Sequence, residues 1–184
     1  CFMKSYFGCS GWSYKDWKER FYPKDLTKKE WLGYYSRRFA SVEVNNTFYK
    51  TPKPDTFRRW YDETPDDFCF SLKGPRYVTH LKKLKDSDEW VKGFYSDIDP
   101  LREKIGCVLW QLPGNLHKNK DKLHHFLSVL SSDYRNVVEF RHASWYTDEV
   151  RDTLKKFGVA FCGVSSSFGI PDSLEETAGH VYIR

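Results

Sequence analysis

Seven short apolar runs, at 6–9, 41–44, 68–72, 107–111, 137–140, 159–164 and 180–183, recur along the chain with helix-like stretches between them. Strands alternating with helices predict parallel βαβ units, since parallel neighbours are joined only through a crossover. The helix signals are local and specific. Thr27-Lys28-Lys29-Glu30 is a capping-box pattern ahead of a helix over 31–38, and Pro54 suits the first turn of a helix running through Trp60. The stretch 120–130 sets Leu123, Phe126, Leu127 and Leu130 on one face, and Thr147-Asp148-Glu149 opens a further helix with acids at its positive end. The region 77–99 is less regular and reads as a long excursion over the strand ends. No repeat, low-complexity tract or linker interrupts the pattern, which predicts one domain over 1–184.

Alternation within each strand sorts side chains onto two faces. One parity is apolar nearly throughout: Val42, Val44, Phe68, Phe70, Leu72, Val108, Trp110, Val138, Phe140, Val181 and Ile183. That set is expected to face the helices. The other parity carries Glu43, Lys73, Gln111, Glu139, Arg141 and Arg184, each at or next to a strand's C-terminal end. The expected fold is therefore an α/β parallel barrel with a polar mouth, the place where such folds bind ligands. Structural ion pairs are the competing explanation, Glu43 with Lys73 and Glu139 with Arg141, because buried charges need partners.

Length modifies this picture. The chain has 184 residues, whereas a complete eight-unit barrel takes about 250. The last run, His180 to Arg184, begins a strand with no turn or helix after it, so the expectation is a barrel cut short at its C-terminus with about seven strands. Met3-Lys4 resembles a natural start and Cys1-Phe2 upstream sequence, so no function is placed on Cys1. No apolar run approaches the roughly 20 residues of a membrane span and no charged-then-apolar leader precedes the first strand, which predicts a soluble cytoplasmic protein. The other cysteines, Cys9, Cys69, Cys107 and Cys162, each fall inside a strand-like run without ligand spacing, the pattern of reduced, buried thiols. The net charge of +5 favours anionic ligands. Its densest basic run is Lys82, Lys83 and Lys85, in its plainer reading a solvated face. Aromatic residues make up 18% of the chain, and Trp12/Tyr14, Phe48/Tyr49 and Trp145/Tyr146 follow strands directly.

The polar set supports several chemistries. Arg141 and Arg184 can grip a phosphate or carboxylate through two N–H groups. Lys73 adds charge or, if desolvated, serves as a base or Schiff-base amine. Glu43 and Glu139, on the second and fifth strands, can face one another as acid and base or nucleophile, as glycoside cleavage requires. Asn45 and Asn46 can hold sugar hydroxyls, and Trp12, Tyr14, Tyr49 and Trp145 can stack on a sugar or base. A metal reading starts from Glu139 and His142 with His80 and Glu43 as further ligands, although the spacing is not diagnostic. His117, His124, His125 and His180 read as surface or structural histidines. Gly8-Cys9-Ser10-Gly11-Trp12 lacks the spacing of a phosphate-binding loop, and Gly11 suits a tight turn. Ser165-Ser166-Ser167 reads as turn chemistry rather than a nucleophile elbow.

Gly8-Cys9-Ser10-Gly11-Trp12-Ser13-Tyr14 with Trp17 and Phe21-Tyr22-Pro23, then Val42-Glu43-Val44-Asn45-Asn46-Thr47-Phe48-Tyr49, resembles the YecE-like proteins, domain-of-unknown-function family number seventy-two. Further matches are the run 68–73 with Thr79-His80, Gln111-Leu112-Pro113, Glu139-Phe140-Arg141-His142 with Ser144-Trp145, and Tyr182-Ile183-Arg184. The resemblance spans nearly the whole chain in order. It implies a TIM-type barrel in the cytoplasm with no established activity, and members that continue past Tyr-Ile-Arg into a Phe-His-Gly segment. It assigns no roles to the motif residues and names no cofactor. The leading expectation is a hydrolase or lyase acting on a small anionic or sugar- or nucleotide-like ligand, with Glu43, Glu139 and Lys73 catalytic. In that reading Trp12, Tyr14, Asn45, Asn46, Tyr49, Gln111, Arg141, His142, Trp145 and Arg184 bind the ligand. The alternatives are a metal-dependent hydrolase or nuclease, and a non-catalytic module binding nucleic acid or protein.

Overall fold

Six strands pair in sequence order, every pair parallel: β1 (Gly8–Cys9), β2 (Ser41–Val44), β3 (Cys69–Lys73), β4 (Ile105–Gln111), β5 (Asn136–Glu139) and β6 (Ala160–Phe161). The helices α1 (Trp31–Ser36), α2 (Asn46–Tyr49), α3 (Pro54–Asp62), α4 (Asp88–Ile98), α5 (Lys120–Val129) and α6 (Asp148–Phe157) lie in the connections. This is a computed structural model and describes residues 4–165, 169–171 and 173–184. Met3, Ser166 and Ser167, and the expectations attached to them, lie outside those residues.

The alternation of strand and helix is as expected, but among the described residues the sheet does not close into a barrel. It is open, with six strands. The seventh run joins it at one bridge, Gly163 to Ile183, supported by Gly163 N–H donating to the Tyr182 carbonyl at 2.9 Å and Arg184 N–H donating to the Gly163 carbonyl at 2.8 Å. β1 is shorter than its apolar run because only Gly8 and Cys9 find partners, in Ser41 and Val42. At Gly8 a Cβ would sit 1.9 Å from the Ser41 carbonyl oxygen, so only glycine lets the two strands meet.

Local signals explain most helix ends. The Glu30 carboxylate accepts from Thr27 N–H at 2.9 Å and the Thr27 hydroxyl at 2.7 Å, and a 3-10 turn leads into α1, which stops at Ser36 rather than Arg38. Pro54 opens α3. Asn119 accepts from Lys122 N–H to cap α5, and Gly158 at φ 64° ends α6. Gly11, at φ 130°, makes the turn after β1. The 77–99 region is a correction: it holds a π-type turn (Tyr77–Leu81) and then α4, which buries Val91, Phe94, Tyr95 and Ile98. Its entry was hidden because the chain turns there on left-handed Lys83, Leu84 and Asp86, none of them the glycine that normally marks such a turn.

The two strand faces differ as parity requires. Phe68, Phe70, Leu72, Val108, Trp110, Val138 and Phe140 join the large core shared with the helices, where Trp60 stacks on Phe70 and Phe126 packs edge-on against Trp110. Val181 and Ile183, expected on this face, are exposed, Ile183 by 66%. On the inner face Cys107, Leu109, Val137, Ala160 and Cys162 form a smaller apolar floor. The described cysteines are free; Cys107 and Cys162 are buried as expected but Cys9 and Cys69 only partly, and burial pushes the Cys107 thiol up to about 12, which leaves it inert. Among the described residues no helix is long and apolar enough to cross a membrane.

Candidate functional site

Above the inner floor the strand ends turn polar within one layer. Glu43 is the third residue of β2, Lys73 ends β3, and Gln111 and Glu139 end β4 and β5 as direct partners across the ladder. Glu139 is fully buried. Gln111 Nε2 donates to both its oxygens at 2.9 Å, Arg141 Nε to one at 2.7 Å, and Arg184 Nη1 to the other at 2.7 Å. Burial alone would raise the pKa of this carboxyl. The Arg184 charge and the donors from Gln111 and Arg141 outweigh it and hold Glu139 below the ordinary 4.5.

Glu43 is held by the same guanidinium. Arg184 Nε and Nη2 reach its two oxygens at 2.8 Å each, and the Tyr182 hydroxyl donates to Glu43 Oε2 at 2.8 Å. Burial disfavours charge on Arg184, yet Glu43 and Glu139 prevail and its pKa rises. Burial likewise raises Tyr182, which keeps its proton and donates it. One cation therefore bridges both acids and occupies the space between them, where a glycosidic bond would have to lie.

Lys73 is differently placed. It is 8% exposed, and among the described residues its ammonium has neither a hydrogen-bond nor an ion-pair partner. Its contact is the Phe48 ring, 4.4 Å from Nζ to the centroid. That ring is fixed by the neighbouring Thr47, whose buried hydroxyl lies 2.7 Å from the Lys73 carbonyl and 3.0 Å from that of Val44, tying α2 to two strand ends. Burial, then the charge on Arg184, lowers the Lys73 pKa. His80 meets the same Phe48 ring edge-on at 4.9 Å, and burial followed by the charge on Lys73 lowers its pKa too.

The sequence-selected residues thus divide. Glu43, Lys73, Gln111, Glu139, Arg141 and Arg184 come together. The expected Glu139–Arg141 pair forms, but Glu43 pairs with Arg184 and not with Lys73. Trp145 is core instead of a stacking platform: it lies against Phe140 and its indole N–H donates to the Leu116 carbonyl at 2.7 Å. Trp12 packs edge-on against Trp60, and Tyr14 rests on Trp17 with its hydroxyl on the Ser10 carbonyl. Asn45 Nδ2 also donates to that carbonyl, joining the β1 and β2 ends, and Asn46 is exposed at the start of α2. Tyr49, 71% exposed, lines a groove of about 430 Å³ together with Phe48, Tyr77 and Trp90.

The metal reading does not assemble. His142 Nδ1 accepts from Ser144 N–H at 3.1 Å and its ring stacks on His117 at 3.9 Å, while His80 Nδ1 lies 2.9 Å from the Thr79 hydroxyl. Among the described residues no three His, Cys, Asp or Glu side chains gather as a metal site. His117, expected to be a surface or structural histidine, is the stacking partner of His142. Of the other histidines, His125 pairs with Asp88 and His180 lies 3.2 Å from the Asn136 carbonyl. Tyr182 was missed as a site residue although it shares the parity of Arg184 and stands in the same Tyr182-Ile183-Arg184 motif.

A family model described as "Protein of unknown function DUF72" matches residues 6–184. The chain is 33% identical to the UPF0759 protein YecE of Escherichia coli strain K12 over 82% of its own length and 54% of that protein's. It is 25% identical to the UPF0759 protein YunF of Bacillus subtilis over 77% of its length and 52% of that protein's. The chain spans about half the length of these curated relatives. Among solved structures, a DUF72 family protein from Thermotoga maritima superposes with a TM-score of 0.85 at 32% identity, covering 97% of this chain and 72% of that one. A DUF72 family protein from Enterococcus faecalis gives a TM-score of 0.69 at 19% identity, over 82% and 66% of the two chains, a likeness of fold.

Proposed function

The chain belongs to the DUF72 family of proteins of unknown function, and we propose that its polar strand ends form an enzyme site for a small anionic ligand, of hydrolase or lyase type. One observation carries this reading. Arg184 binds both buried carboxylates, and Lys73, in the same layer, has no ion-pair or hydrogen-bond partner for its ammonium among the described residues. The Lys73 ammonium sits in a partly dry pocket with only the Phe48 ring as its contact among the described residues, and a ligand phosphate or carboxylate completes it. Glu43 and Glu139 then orient the guanidinium, and Glu139, held as a carboxylate, can accept a proton but not supply one near neutral pH. The open sheet belongs, in this reading, to a TIM-type barrel of the whole protein, whose ligand sites lie at the same strand ends. The setting is cytoplasmic.

A thermal-shift screen tests the reading with phosphate, sulfate and small carboxylates against chloride of equal ionic strength. Saturating ligand is expected to raise Tm, by about 2.7 kcal/mol of linkage at a hundredfold excess over Kd. The response should vanish in Lys73→Met and change in Glu43→Gln and Glu139→Gln. Identical responses in all three variants and the parent overturn it.

A second reading, a non-catalytic module for nucleic acid or protein, draws on the exposed Tyr49 and Trp90 beside the loop of Lys82, Lys83 and Lys85. It requires binding that weakens steeply with salt and survives Lys73→Met. Absence of oligonucleotide binding at low salt removes its nucleic-acid form.

A further inference from the structure

Two lysines of this chain are buried, and their surroundings differ. Lys104 Nζ donates to the Tyr61 carbonyl at 2.6 Å, the Thr64 carbonyl at 2.7 Å and the Thr64 hydroxyl at 3.3 Å, so its ammonium satisfies the C-terminal end of α3. Lys73 has no such acceptors among the described residues. The strand end that carries it is nevertheless built to close tolerance. A Cβ at the following Gly74 would lie 2.4 Å from the Trp110 ring, and Gly74 N–H donates to the Leu109 carbonyl at 2.8 Å. With Thr47 clamping the Lys73 carbonyl, backbone and aromatic support are both fixed while the amine is left unengaged.

We infer that Lys73 is an imine-forming amine, and that the ligand is a small anion which also carries an aldehyde or ketone. The inference rests on the anion-site reading and names its substrate class. An amine becomes a nucleophile when its charged form is disfavoured, by desolvation or by a neighbouring cation. Burial and Arg184 both act on Lys73 in this direction. In the step, the Nζ lone pair forms a bond to the carbonyl carbon and the C=O π pair moves to oxygen. One nitrogen proton passes to that oxygen, giving a carbinolamine. The hydroxyl then departs with the second nitrogen proton as water, leaving a C=N bond. No oxidant or reductant is consumed. His80, held against the same Phe48 ring, is the neighbouring imidazole whose neutral form burial favours, the form able to accept and return a proton.

The test incubates the purified protein with glycolaldehyde phosphate and sodium borohydride, the hydride donor that converts an imine to a stable secondary amine, and maps the label by peptide mass spectrometry. Lys73 is expected to label about tenfold or more faster than exposed lysines such as Lys85, because desolvation leaves more of it as the free amine. Inorganic phosphate should slow it, and uncharged glycolaldehyde should label it more slowly. Lys73→Arg should lose the fast label. Labelling spread evenly over exposed lysines, with the phosphate shift intact, overturns the imine and leaves the anion site standing. Fast Lys73 labelling equal for the charged and uncharged aldehydes, with no phosphate protection, overturns the anionic class and the reading beneath it.

Discussion

Arg184 and Glu43 stand 141 positions apart and meet through two contacts of 2.8 Å, Nε to Oε2 and Nη2 to Oε1. This side-on pairing uses the fork geometry that only arginine offers. It also settles what surrounds Lys73, because the carboxylate that would have neutralised it is already engaged. Four consequences can be measured.

Arg184→Met leaves Glu43 and Glu139 buried without their shared cation. The expected loss is about 3–5 kcal/mol, as for other buried pairs broken on one side. Urea unfolding measures it. Arg184→Lys should recover little, since an ammonium cannot reach three carboxylate oxygens in a planar fork. Stability equal to the parent in Arg184→Met would show that the bridge does not hold the acids.

Lys73 should weaken the fold that carries it. Its folded pKa lies below the unfolded 10.5, so the unfolded chain binds the proton more tightly. The penalty is complete below the folded pKa and disappears as pH rises to 10.5. Lys73→Met should therefore melt higher than the parent at pH 7, by about 2–4 °C for each kcal/mol of relief in a chain of this size, with the gap narrowing toward pH 10. A lower Tm for Lys73→Met at pH 7 argues that the ammonium is well solvated or paired.

Glu139 has the opposite sign. Its folded pKa is below 4.5, so its contribution is complete above that pH and declines as pH falls through the folded value. Glu139→Gln should be less stable at neutral pH and show a flatter decline in the window below 4.5. Unfolding followed from pH 7 to 2 in both proteins checks this, and parallel acid limbs would deny the shift.

Asn136 supplies a control away from the polar layer. Its Oδ1 accepts from the Tyr95 hydroxyl at 2.5 Å and Trp110 Nε1 at 3.0 Å, and Nδ2 donates to the Ser131 and Tyr134 carbonyls at 2.8 and 3.0 Å. Asn136→Ala strands four buried or partly buried partners and should cost about 3 kcal/mol. The anion response should persist below the lowered Tm. A lost response would link binding to general stability instead of to the strand ends.

Strand parity made much of this legible. Period-two alternation with one face apolar specifies which residues share the inner layer, and Glu43, Lys73, Gln111 and Glu139 are found there. Within that layer the Glu139–Arg141 pair was legible but the Arg184 bridge was not, because sequence orders strands but does not say how far Arg184 reaches across them. Loop aromatics failed for a related reason. Trp145 and Trp12 follow strands, but a short 3-10 turn folds Trp145 back onto Phe140 and a turn at Gly11 precedes Trp12, which packs on Trp60. Helix α4 was obscured by left-handed residues that carry no glycine signal, and barrel closure depends on pairing that the described residues do not make.

Calorimetric titration of inorganic phosphate at fixed ionic strength, into the parent and into Lys73→Met, tests the central claim most directly. Saturable binding at one site is expected in the parent, weakened about tenfold or more in the variant, equivalent to about 1.4 kcal/mol. Binding of equal strength in both proteins, or no saturable heat in the parent, would contradict an anion site built around Lys73.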